Sequence, residues 1–229
     1  MKRLIQSPQL GVTPTNSQKL IYISQKLGLT GIKGMQGSTV NIFDTVPLIT
    51  SADRQTLSFF SQTSNKSRNF TNFQNGTLNA GEAMIVEDLS FYLITTTNAD
   101  LTSNANAILT AAPITATSAT AYPNRSGFLS GLINVTIANS RVVKDLNGYE
   151  QTPVFNTKAT GIAVTDSAIA TERVIGASKI YLESPPVLPP NQKINVTIEI
   201  APTGTIPANT FIVCVAGRFG SIFAAKTTL

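Results

Sequence analysis

Between Lys179 and Arg218 the chain reads KIYLESPPVLPPNQKINVTIEIAPTGTIPANTFIVCVAGR, apolar runs separated by proline-rich turns. The middle run constrains the fold most. Ile194, Val196, Ile198 and Ile200 alternate with Asn195, Thr197 and Glu199, the period of a strand with one face in a core and the other wet. Ahead of it, Pro185, Pro186, Pro189 and Pro190 exclude a helix and set an extended corner. Pro202, Gly204 and Pro207 mark the loop that follows. Phe211 to Ala216 is apolar on both faces, as a strand buried between two layers would be. Strand, corner, strand, loop and buried strand are the closing part of an antiparallel β-sandwich.

The rest of the chain is read against that pattern. Residues 1–17 carry Pro8, Gly11 and Pro14 with little periodicity and are expected to form an extended N-terminal arm. QKLIYIS (18–24) is read as a first strand. Gly28, Gly31, Gly34 and Gly37 follow, without the Lys-Ser/Thr or the later acidic residue of a phosphate-binding loop, so a flexible loop is expected. Strands are expected at 38–46, 56–63 and 83–97, the last with a kink or bulge near Glu87-Asp88. Phe70 and Phe73, set beside Lys66 and Arg68, read either as loop anchors, the favoured reading, or as stacking platforms for single-stranded bases. Residues 98–125 are rich in Ala, Thr, Ser and Asn. They read as a surface loop or inter-subunit contact, with a short helix at 103–111. Strand pattern returns at 126–143 with a hairpin at Asn139-Ser140, then at Val154-Phe155 and Gly161–Thr165. Residues 166–176 read as a helical turn or loop. The tail GSIFAAKTTL is expected to pack partly against a neighbour. Ten or eleven strands without a fixed repeat make an all-β antiparallel sandwich or barrel.

Composition bounds the function. Of the 229 residues, 42% are hydrophobic and only 13% charged, against an average near roughly 25%. Surfaces of Thr, Asn and Ser are easily buried against copies of the same chain. The net charge is +5 and uneven: residues 1–80 carry +6 and the remainder −1. Lys2, Arg3, Lys19, Lys26 and Lys33 are therefore candidate contacts to nucleic acid, to an anionic membrane or to an inner face, with a solvated basic surface as the alternative. There is no histidine, so Ser-His-Asp triads, Cys-His dyads and His-based metal sites are excluded within one chain. Cys214 lies in an apolar run and reads as a small core residue. Glu87 and Asp88 point to opposite faces of a strand and cannot act together. No carboxylate pair stands out as glycosidase machinery, no calcium loop is present, and tryptophan is absent. No catalytic, cofactor or metal residue is assigned, and the chain reads as a non-enzyme. The start resembles a signal peptide only as far as Gln6, no membrane-length apolar run occurs, and the Asn-x-Ser/Thr sequons read as by-products of composition.

Three segments together resemble a known family. IYLESPPVLPPNQKINVTIEI with IPANTFIVCVAG, NGTLNAGEAMIVEDLSFYLIT, and SGLINVTIANSRVVKDL are similar in pattern to the strands of jelly-roll major capsid proteins of icosahedral, tailless bacterial viruses. The resemblance is one of style, covers about two thirds of the chain and includes no diagnostic motif. It implies a single jelly roll with long loops over residues 18–229, with two compact rolls divided near 98–125 as the alternative. It further implies a virion protein assembled in the host cytoplasm, without catalytic residues or small-molecule substrate. Such a subunit would self-associate into trimers or pseudo-hexamers, join other virion proteins and face genome or an internal membrane. The alternative is a virion decoration or fibre protein, or a carbohydrate-binding β-sandwich module.

Overall fold

The alternating run is a strand, and it lies inside a sheet between two others. The computed structural model describes residues 14–49, 54–74, 76–113, 131–147, 154–156, 173–175, 180–182, 184–200, 206, 208–217 and 219–223. The chain begins with α1 (Asn16–Lys26), β1 (Met35–Thr39), β2 (Ile42–Pro47), β3 (Gln55–Phe59), β4 (Glu82–Ile85) and β5 (Asp88–Thr96). It continues with β6 (Ile108–Pro113), β7 (Leu132–Ile137), β8 (Ser140–Asn147), β9 (Val154–Asn156) and β10 (Arg173–Ile175). It closes with β11 (Ile180–Tyr181), β12 (Val187–Leu188), β13 (Ile194–Ile200), β14 (Thr210–Ala216) and β15 (Phe219–Phe223). Every named ladder is antiparallel, and the protein is an all-β sandwich.

One sheet has the order β3-β13-β7-β8 and the other β11-β5-β14-β2, with β6 also pairing along β5. In the first, Val196 sits between Phe59 and Val135, and Ile198 between Leu57 and Ile133. All six side chains are buried. Full burial of each aliphatic one contributes about 1.5–3 kcal/mol, and a slip of one residue would turn β13's apolar face to water. One core cluster joins both sheets through residues such as Phe59, Phe91, Val196, Ile212 and Cys214. Phe59 and Phe91 meet across the layers edge to face at 5.7 Å. β14 is apolar on both faces because it has two cores to fill. Ile212 and Cys214 face the first. Phe211 joins Phe70 and Ile94 in a second, with Leu101 and Val213 packed against it.

Eight of the strands pair in a nested order. β2 pairs with β14, β3 with β13, β5 with β11 and β7 with β8. The first strand of the set thus meets the last, the second the seventh, the third the sixth and the fourth the fifth. Further ladders β5–β14 and β7–β13 complete the two sheets. Because direction alternates, β2, β5, β8 and β13 end, and β3, β7, β11 and β14 begin, at one end of the sandwich. The β7–β8 turn and the connections 60–87 and 182–193 lie at the other.

A third sheet, β1-β15-β4-β12, carries α1. Here the sequence reading needs correction: 18–24 is helix, and Asn16 and Ser17 belong to it. Thr15 caps the helix reciprocally with Gln18, whose backbone N–H donates to Thr15 Oγ1 at 3.3 Å while Gln18 Oε1 accepts from the Thr15 N–H at 2.8 Å. Leu20 and Ile23, three apart, bury against Ala83, Ile85 and Phe219. Gly28 (φ +69°) closes the helix with bonds from its own N–H to Gln25 O and from the Leu29 N–H to Ser24 O. The short helix expected at 103–111 is instead a turn followed by β6, whose Thr110 pairs with Thr95. The 166–176 stretch contains β10, which pairs with β9. The described part of the tail, to Phe223, is strand and pairs with β1 and β4 of its own chain; the rest of the tail lies outside the described residues. Among the described residues fifteen strands stand where ten or eleven were expected; the surplus includes two- and three-residue pieces. The kink at Glu87-Asp88 is real, since β4 ends at Ile85 and β5 begins at Asp88. The 161–165 strand candidate, and all but the last few residues of the N-terminal arm, lie outside the described residues.

Candidate functional site

Titratable chemistry is sparse. Among the described residues no group of three or more Cys, Asp or Glu could hold a metal ion. Cys214 is fully buried and pairs across the ladder with Asp44. Burial, and then the Asp44 carboxylate, push its thiol well above the usual range, so the nucleophilic thiolate is disfavoured. Glu87 is taken up by Lys19 at 2.6 Å, and Asp88 is buried.

The densest polar network lies at β2. Ile42 and Val46 face the inter-sheet core, so Asp44, between them in the period of two, faces it as well. Its carboxylate has no exposed surface and meets Lys66 Nζ at 2.7 Å. Lys66 Nζ also donates to Thr45 O at 2.6 Å, and the Phe60 N–H donates to Asp44 Oδ2 at 2.7 Å. Burial raises the Asp44 pKa, while Lys66 and the backbone donors of Phe60 and Thr45 pull it back. Phe60, at φ +66°, occupies the left-handed region, a strained place for a bulky residue. The Asp44 bond helps hold it there.

The same loop covers β2 along the sheet edge. Thr45 Oγ1 donates to Phe70 O at 2.7 Å, and Thr71 Oγ1 to Phe43 O at 3.0 Å. The Asn72 amide accepts from the Phe43 N–H at 2.8 Å and donates to Asn41 O at 2.9 Å, standing in for a neighbouring strand. Phe70 and Phe73 are buried. They are the anchors expected from the sequence, and buried rings cannot stack on bases. The sequence reading passed over this network. An Asp at an inward position of an apolar alternation was the signal that could have found it.

The basic candidates divide. Lys2 and Arg3 lie outside the described residues. Lys19 is held by Glu87 and sits 5.3 Å from the centroid of the Phe219 ring, so it fastens α1 to the third sheet. Lys26 is exposed in the last turn of α1, 5.6 Å from the Tyr22 ring. It borders a cleft of about 600 Å³ with Tyr22, Val142, Pro185 and Val187. Tyr22 donates to Pro185 O at 2.8 Å there, and burial raises its pKa. Lys33 is exposed in the turn ahead of β1. A second cleft, about 680 Å³, is bordered by Arg68, Asn72, Gln74, Asn79 and Glu82. Its polar groups largely hold the loop: Gln74 Nε2 donates to Lys66 O at 3.0 Å, and Glu82 Oε2 accepts from the Asn79 N–H at 3.3 Å.

The β5–β6 hairpin differs from both clefts. Its turn is built around Asn106, which is fully buried. Asn106 Oδ1 accepts from Thr97 Oγ1 at 2.9 Å and from the Asn98 N–H at 3.2 Å. Its Nδ2 donates to the carbonyls of Asn98 and Asp100, each at 2.9 Å. The hydroxyl and N–H of Thr102 hold the Asp100 carboxyl below its usual range. Leu101 packs into the outer core, and Asn69 Nδ2 donates to Asn106 O at 3.4 Å. From this fixed turn runs β6, with residues 107–111 exposed. Ile108 is 45% and Leu109 62% exposed.

Comparison with protein-family models, with curated proteins and with solved structures gives no match.

Proposed function

We propose that the protein is a structural subunit of a self-assembling shell, built on a jelly roll and working without catalysis. The observation that carries the reading is the nested order β2–β14, β3–β13, β5–β11 and β7–β8. A long hairpin rolled so that its two arms lie in facing sheets pairs its strands in this way, which is the plan of a jelly roll. Jelly rolls serve as capsid and as lectin domains, and fold alone does not choose between them. The surface favours the shell. Only 13% of the residues are charged, so broad lateral contacts desolvate at low cost. The polar groups bordering the larger cleft are largely committed to the loop that forms it, which leaves little to read a sugar. The partners in this reading are copies of the chain, in trimers or pseudo-hexamers, and other virion proteins. In this reading Lys26 and Lys33, both exposed, are candidate contacts to genome or membrane.

Electron microscopy of the purified protein over a range of salt and concentration tests this. Symmetric rings or closed particles are expected. A species that stays monomeric under every condition overturns the reading.

A further inference from the structure

We propose that β6 is a pairing edge for a second copy of this chain, the two β5–β6 hairpins joining edge to edge about a two-fold axis and continuing one sheet into the next. The choice of a second copy as partner rests on the self-assembly reading; the edge itself rests on geometry.

The two lateral edges of one sheet are treated in opposite ways. β2 is guarded by an inward-pointing carboxylate, Asp44, and by a loop whose Asn72 amide bonds to its outer backbone groups. Both are devices by which proteins stop an edge from recruiting another strand. β6 has neither. Among the described residues it pairs only with β5. Ile108 and Leu109, neighbours in a strand, expose apolar surface on both faces. Its sequence ILTAAP contains no charge.

That composition identifies the partner. An added strand must place apolar or small side chains on both faces and bring no unpaired charge. A second β6 does so without like-charge repulsion, and a two-fold contact requires this self-complementarity. The hairpin is also ordered in advance. Asn106 satisfies the turn internally, and Thr95 and Thr110 bond across the ladder at 2.7 Å. Docking therefore orders little that was free. Pro113, which has no N–H, ends the strand. With six residues the contact falls below the roughly 20–30 residues a side of a standard interface. It is weak alone and acts alongside others.

Hydrogen exchange of the peptide 106–113, followed with sedimentation over a wide concentration range, tests the proposal. Leu109→Lys and Ile108→Lys place a cation on opposite faces of the edge at exposed positions, and each should leave the melting temperature of the monomer unchanged. Expected is protection of 106–113 that grows with association, lost in both variants, with association weakened about tenfold or more. Wild-type assembly without protection of 106–113, or lysine variants that assemble as wild type does, overturns edge pairing and leaves the shell reading standing. Protected dimers that never form rings or particles support the edge and overturn the shell. A monomer unprotected at every concentration overturns both.

Discussion

Replacing Lys66 by Met isolates the electrostatics of the core. Methionine keeps most of the apolar stem and removes the ammonium. Asp44 has no exposed side-chain surface and Lys66 only 13%, so the variant leaves a buried carboxylate without its cation. Breaking such a pair from one side costs about 3–5 kcal/mol. At roughly 2–4 °C per kcal/mol for a chain of this size, the melting temperature falls by on the order of 10 °C. The pH dependence has a definite sign. Burial already raises the Asp44 pKa against the pull of Lys66, and without Lys66 it rises further. The native state then binds more protons than the unfolded state, so stability decreases as pH rises. Asp44's contribution is fully present below the unfolded value near about 3.9 and is lost as pH climbs through the raised folded value. The deficit of Lys66→Met relative to wild type should be largest at pH 8 and shrink toward pH 5. Asp44→Asn/Lys66→Met, which keeps an acceptor for the Phe60 N–H, should recover most of it. Urea unfolding followed by circular dichroism at both pH values measures these terms. A deficit under about 1 kcal/mol at pH 8, which is the range of an exposed pair, would refute the reasoning, as would one that grows on acidification.

Other perturbations test separate parts of the fold. Gly217→Ala puts a Cβ 2.5 Å from Met84 Sδ at φ +85°; overpacking and the left-handed backbone together should cost about 2–4 kcal/mol in chemical denaturation. Asn106→Ala strips the hairpin turn of its internal partners and should speed amide exchange across 97–107, with a global loss of about 1–3 kcal/mol. Cys214, buried with a raised pKa, should resist alkylation in the native protein and react at the rate of unfolding; rapid native labelling counts against its burial. Tyr22→Phe removes the bond to Pro185 O and should cost about 1 kcal/mol in thermal melts.

Strands with one wet face were legible from their residues. β13 and β7 alternate cleanly, and the structure keeps their register. The proline corner correctly separated β11 from β13, and the FIVCVA run correctly signalled burial on both sides. α1 was misread because Leu20 to Ile23 is a continuous apolar run, in which strand and helix periods cannot be told apart. The decisive marks lay outside it, in Thr15 with Gln18 and in Gly28. β6 was missed for a different reason. A strand exposed on both faces has no reason to alternate, so 103–111 read as a short helix within a surface loop. Lys19 was read as a surface cation because nothing local announces a partner as distant in sequence as Glu87.

These failures share a cause that bears on function. Pattern reading assumes that apolar residues are buried within the chain and charged ones are exposed. Asp44 and β6 break the assumption in opposite senses. Burying a carboxylate on β2 raises its pKa and requires Lys66 to be drawn in beside it. Leaving Ile108 and Leu109 in water forgoes burial that a small change of sequence would remove the need for. Each is unfavourable for the isolated fold, and each acts on a lateral edge of the same sheet. An inward charge and a docked loop close one edge, while at the other a rigid turn presents β6, which among the described residues pairs only with β5. A sheet closed on one side and open on the other grows in one direction only. Pairing β6 to β6 then stops at two copies, because the far edge of each sheet is guarded by Asp44 and Asn72. In the proposed pairing, asymmetric edge treatment permits a discrete contact between copies while excluding an endless ribbon.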